Sequence, residues 1–272
     1  MNIRKNFAQL IAAIGLSLTS IGSVQADISL TYQSLNYPDY RSTILVKNQY
    51  IRFENPMAPE FFMLFDSEQQ HMTLVDGSRQ SYTVLDRETL DSLSEQIEVT
   101  RKAIIAELET GMKTASAEEK AQMADILEQI KSLAQGPEKA LVQYQQTSVQ
   151  AQVNGYNCTV TQAIINTEEH AQLCVVSAKK AGIPEEEMAT LESFHHFSNS
   201  VHQQLNPGDS TELLFVMNSK VQIPVSVKRL LPISAQDEYQ LMQVKKLSIP
   251  ASAFSIPNGY QQKDIEDAFI VE

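Results

Sequence analysis

The sequence has no tryptophan and only two cysteines, Cys158 and Cys174, in 272 residues. Two thiolates supply half of a tetrahedral zinc shell, so a four-cysteine metal site is excluded. Fifteen residues separate them, so they form no Cys-x-x-Cys redox pair. After the N-terminal segment no apolar run reaches the roughly 18 residues of a membrane-spanning helix. Nor is there a G-x-S-x-G elbow, an H-E-x-x-H pair or a phosphate-cradling glycine loop. Basic residues are scarce too, with 21 Lys plus Arg against 33 Asp plus Glu. That balance argues against nucleic acid and anionic membranes as partners, because both need a basic face.

The first residues, "MNIRKNFAQLIAAIGLSLTSIGSVQADISL", have the three parts of a secretory signal peptide. Arg4 and Lys5 form the basic part, Phe7 to Ile21 the apolar part, and "SVQA" the small-residue site for cleavage after Ala26. Residues 1–26 are therefore expected to be removed, leaving a periplasmic chain of 27–272 with no transmembrane span. Losing Arg4 and Lys5 lowers Lys plus Arg from 21 to 19, and the net charge becomes −14.

The mature chain begins with alternating runs. "STILVKNQYIRFE" places a turn at Lys47-Asn48, and "FFMLFDSEQQHMTLVDGSRQSYTVLD" places turns at "DSEQQ" and "DGSR". These predict an antiparallel meander. The period then changes. Leu90, Leu93, Ile97, Ile104 and Leu108 recur at helical spacing. A capping box at Ser116–Glu119 starts a second helix through Met123, Leu127, Ile130 and Ala134, which Gly136-Pro137 stops. An αα-hairpin at about 87–135, packed on the sheet, is the expectation. Strands resume near Leu141. Asn154-Gly155 is a strong hairpin signal. "GIPEEEMATLESFHHFSNSVHQQLNPG" predicts a third helix, with Pro184 in its first turn and Asn206-Pro207-Gly208 at its end. "ELLFVMNS" fits helix or strand, and "VQIPVSVKRL" and "EYQLMQVKKLSI" read as the last strands. Helices inserted in blocks between strands predict a single α+β domain with an antiparallel sheet.

Placed opposite each other in a hairpin, Cys158 and Cys174 centre the turn on Asn166, where "INTEEH" wants one. Val160 then opposes Gln172, and Gln162 opposes His170. A structural disulfide in an oxidising compartment fits this spacing.

For chemistry the candidates are few. His195 and His202 share a helix face two turns apart, too far for one ion, and His170 beside Glu168 and Glu169 falls in an expected solvated turn. Asp66, Asp76 and Asp86 fall at turns or strand ends. No catalytic residue, metal site or cofactor is indicated. Met and Phe are plentiful, and Phe61, Met63, Phe65, Met72, Met188, Phe194 and Phe197 are either ordinary core or the lining of an adaptable apolar cavity.

The stretches "STILVKNQYIRFE", "FMLFDSEQQHMTLVDGSRQSYTVLD", "VNGYNCTV", "IPVSV" and "AFSIPNGY", in that order, resemble the secreted bacterial DUF4412-type domain. That group is similar to the LolA/LolB-like lipoprotein-carrier superfamily. The resemblance covers most of residues 27–262. It implies a curved half-barrel covered by helices, and an apolar ligand such as a lipid or lipoprotein acyl chain. The matched motifs are structural, so no ligand residue transfers. The helical hairpin departs from the pattern. It suggests another role, that of an envelope or regulatory protein docking a partner protein through an acidic hairpin.

Overall fold

A computed structural model describes residues 27–55, 57–135, 143–165, 167–205, 222–230 and 238–265. The expected leader, the Gly136-Pro137 stop, Asn166, the Asn206–Gly208 stop and "ELLFVMNS" lie outside them.

Six strands come first: β1 (Asp27–Ser34), β2 (Arg41–Lys47), β3 (Tyr50–Glu54), β4 (Phe61–Asp66), β5 (His71–Asp76) and β6 (Ser81–Leu85). Each pairs antiparallel with the next, which is the expected meander. Two helices follow, α1 (Arg87–Gly111) and α2 (Ala117–Gln135). Then come β7 (Gln143–Val153), β8 (Tyr156–Ile165), β9 (Glu168–Ser177), a short α3 (Ala178–Ala181), α4 (Glu185–Leu205), β10 (Gln222–Arg229) and β11 (Glu238–Leu247). A two-residue β12 (Gln261–Gln262) lies parallel to β6. The twelve strands of the described residues belong to one open sheet, ordered β12-β6-β5-β4-β3-β2-β1-β11-β10-β9-β8-β7. The fold is α+β. The β1–β11 pair joins the N-terminal meander to the later strands, so the chain's two halves share one sheet.

Three aspartates ten residues apart shape the meander. Asp66 Oδ1 accepts from the backbone N–H groups of Glu68 and Gln69, and Asp76 Oδ1 from those of Ser78 and Arg79. Each closes a four-residue turn whose last residue, Gln70 or Gln80, has positive φ. Asp86 accepts from Thr89 N at 2.8 Å and caps α1. These hydrogen bonds hold its carboxyl below the usual range. Gly77 is required by proximity, since a Cβ there would sit 2.9 Å from the Glu60 carbonyl oxygen.

Other local signals also work as their chemistry suggests. Asn154 and Gly155 have φ of 47° and 84°, a two-residue turn between Val153 and Tyr156. Ser116 and Glu119 bond reciprocally at the start of α2. α3 was not anticipated. Ser177 caps its start and Gly182, at φ 80°, its end.

The cysteine register differs from expectation by two residues. Cys158 and Cys174 are bonded, with Cα atoms 5.4 Å apart. Yet Val160 pairs with Cys174, and Gln162 with Gln172. A bulge makes His170 an extra residue in β9, and the closing pair is Ile165 with Glu168, so the disulfide runs diagonally across the ladder.

Candidate functional site

α4 lies on one face of the meander, with Met188, Leu191, Phe194 and Phe197 among its buried residues. Thr190 donates to the Asn48 carbonyl in the β2–β3 turn at 2.6 Å, and Gln70 in the β4–β5 turn donates to Ser193. Between those anchors Phe194 stacks on Phe53 at 4.5 Å and meets Phe65 at 5.3 Å, while Phe197 meets Phe65 at 5.4 Å. Phe65, Met72, Met188, Phe194 and Phe197 are buried members of one core cluster. Met63 packs against that cluster half-buried, and Phe61 is 46 % exposed at the strand end. Thus five of the seven Met and Phe candidates fall together beneath α4, one borders them and one stands apart. Among them the Phe65 ring meets those of both Phe194 and Phe197.

The opposite face of the meander is covered by the segment after β11. Arg52 lies 3.6 Å over the Phe62 ring and donates to the Ala253 carbonyl. Asp27, which composition did not single out, is buried. Its Oδ2 accepts from Lys47 Nζ at 2.8 Å and from Ile249 N at 2.6 Å, tying β1 to that segment.

His195 is buried on α4. Its Nε2 lies 3.1 Å from Asn199 Nδ2, and its Nδ1 has no hydrogen-bond partner among the described residues. Burial, helped by His196, pushes its pKa down to about 4, so it is neutral at pH 7. The His202 side chain lies outside the described residues. Glu169 and His170 sit at the β9 bulge and are partly buried, whereas the sequence placed them in a solvated turn. Among the described residues no three His, Cys, Asp or Glu side chains form a metal-binding group.

The helical hairpin departs most from expectation. Among the described residues α1 meets the sheet chiefly through β6 and packs more extensively beside α4. Leu90 is its one buried residue. Further along, Ile97, Leu108, Met123, Leu127 and Ile130 are half-buried, and Ile104 and Ile126 are exposed. Lys131 bonds Glu109 across the two helices at 2.8 Å, and Gly111 lies against Met123. The seam between α1 and α2 is therefore apolar, but its side remains open to solvent.

The β7–β8 turn reaches back over the sheet. Pro224 has no N–H, and Val225 is an extra residue against β9, so the β10–β11 ladder ends at Ser226 and Gln240. Two side chains bridge the gap beyond. Tyr32 donates to the Pro224 carbonyl at 3.0 Å, and burial raises its phenol pKa strongly. Asn154 donates to the Leu241 carbonyl at 3.1 Å, beside Met242, an extra residue in β11 against β1. No sequence signal pointed to this junction.

No family model matches the chain, and no curated protein matches it. Solved structures of PNGF-II in space groups C2 and P21 are each 9 % identical to it, with a TM-score of 0.38. Each alignment covers 89 % of this chain and 32 % of the other, so the chain spans about a third of their length. A likeness this slight carries neither fold nor activity across.

Proposed function

We propose that this is a non-enzymatic protein of the bacterial periplasm that docks a protein partner on its α1–α2 hairpin. One observation carries the reading, the exposed apolar side chains Ile104 and Ile126 on that hairpin, beside half-buried Ile97, Leu108, Met123 and Ile130 on the same two helices. Exposed acidic residues such as Glu107, Glu118 and Glu119 lie on the same two helices. The partner that fits is an amphipathic helix with basic flanks, laid along the seam. The Cys158–Cys174 bond supports an oxidising compartment, and the N-terminal leader motif supports export. No helix among the described residues is long and apolar enough to cross a membrane.

The test is photocrosslinking from Ile104 and Ile126, with Leu247 on β11 as control. The expected result is one discrete adduct from both hairpin positions, lost with Ile97→Glu and none from the control. Equal labelling from all three sites would overturn the reading.

A second reading keeps the LolA-like resemblance. The antiparallel sheet is crossed on one face by α4, and Met63, Met72 and Met188 soften that seam. An acyl chain would enter by displacing α4 from the phenylalanine cluster. Native mass spectrometry of protein prepared from a periplasm tests it. A ligand-free mass with no apolar-probe binding would count against it.

A further inference from the structure

The two edges of the sheet are built differently. At one end β12 is two residues long and is followed by Lys263 and Asp264, a short and charged edge of the kind that discourages pairing. At the other end β7 runs for 11 residues and pairs on one side with β8. Among the described residues nothing pairs with its outer side. It contains no proline and no charge. In fact no Asp, Glu, Lys or Arg occurs from Gln143 to Thr167, in a chain that is 20 % charged.

The backbone of β7 is also self-complementary. In a two-residue hairpin the flanking pair, Val153 and Tyr156, exchanges both hydrogen bonds. Ala151 likewise bonds inward, and Gln150 and Gln152 turn their N–H and C=O groups outward. Between Gln146 and Gln150 the strand gains two residues relative to β8. An insertion of two preserves the alternation, so Tyr144 and Gln146 also turn outward. The outward residues 144, 146, 150 and 152 are symmetric about Ser148. The bulge itself is braced inward, because Thr147 donates to the Val160 carbonyl and accepts from Val149 N.

We infer that β7 is the interface of a homodimer, paired antiparallel with β7 of a second copy about a two-fold axis at Ser148. In that register Tyr144 lies opposite Gln152 of the second copy, and Gln146 opposite its Gln150. Every pair brings outward backbone groups face to face. The charge distribution selects this occupant. Two mature copies with a net charge of −14 each, 19 Lys plus Arg against 33 Asp plus Glu without Arg4 and Lys5, repel over most of their surfaces, and the uncharged edge lets them approach without opposing like charges. Tyr144, Ala151 and Val153 are partly buried against the core, and a neighbouring strand would extend their cover.

The test is analytical ultracentrifugation of the purified full-length mature protein and of four variants. Wild type should be a dimer at about 100 μM, the order of magnitude of a weak self-association. Gln146→Lys combined with Gln150→Lys sets like charges opposite each other and should give a monomer. Gln146→Lys combined with Gln150→Glu sets opposite charges there and should restore the dimer. Gln152→Pro removes an outward N–H and should give a monomer with an unchanged circular dichroism spectrum. Should that proline variant misfold, the two charge variants decide. Ser148→Cys should form an interchain disulfide on mild oxidation. A monomeric wild type, or a double-lysine variant that dimerises as tightly as wild type, overturns the inference.

Discussion

Asn154 donates its side-chain amide to the Leu241 backbone carbonyl at 3.1 Å, from a turn three strands away in the sheet order. The contact needs both the gap that Pro224 opens and the curl of the β7–β8 hairpin towards it. Asn154→Asp keeps a residue that tolerates positive φ but faces the carbonyl with an acceptor. Thermal unfolding at pH 7 should show a loss of about 1–3 kcal/mol. Part of that loss should return at acidic pH, where the protonated carboxyl can donate. An unchanged melting temperature would mean that the turn is not anchored.

The disulfide between Cys158 and Cys174 predicts no free thiol in the purified protein. Closing a loop of this size is worth about 3 kcal/mol in the chain-entropy model. Paired Cys158→Ser and Cys174→Ser substitutions should lower the denaturation midpoint accordingly. Titration of two thiols in unreduced protein would refute the bond.

The phenylalanines beneath α4 separate core from surface. Phe194→Ala should cost about 3–5 kcal/mol, since it empties a site between Phe53 and Phe65. Phe61→Ala should cost less than about 1 kcal/mol, because that ring is 46 % exposed. Comparable denaturation midpoints for the two variants would contradict this packing.

His195 sets a pH dependence. Its folded-state pKa of about 4 lies below the ordinary value of 6.5. As pH falls through 6.5 the unfolded chain takes up the proton first, so stability drops. This contribution is whole above pH 6.5 and is lost progressively towards pH 4. Replacing His195 by Gln should flatten the melting temperature between pH 6.5 and 4 relative to wild type. Parallel profiles would assign the dependence to other groups.

Much of the fold was legible because its signals are local. Asp66 and Asp76 serve their turns through backbone groups two and three residues on, and Ser116 and Glu119 meet within one helical turn. Such contacts are encoded by spacing alone. The cysteine register was read two residues out because a bulge at His170 leaves no periodic trace. The hairpin was expected on the sheet because an apolar stripe states that a face is suited to burial but does not name the surface that covers it. The same limit left Phe65 and Phe194 open between core and cavity lining, and only the structure placed their rings in contact beneath α4.

The sequence by itself determined the strand meander, the hairpin turn at Asn154-Gly155, the starts of α1, α2 and α4 and the pairing of its two cysteines, because each depends on residues near in the chain. Only the tertiary structure decided that β11 joins β1, that Asp27 holds Lys47 and Ile249, and that Tyr32 and Asn154 bridge the gap beside Pro224. Those relationships join residues up to 222 positions apart. They arise from strand order and local departures from the ladder, which no short-range pattern records.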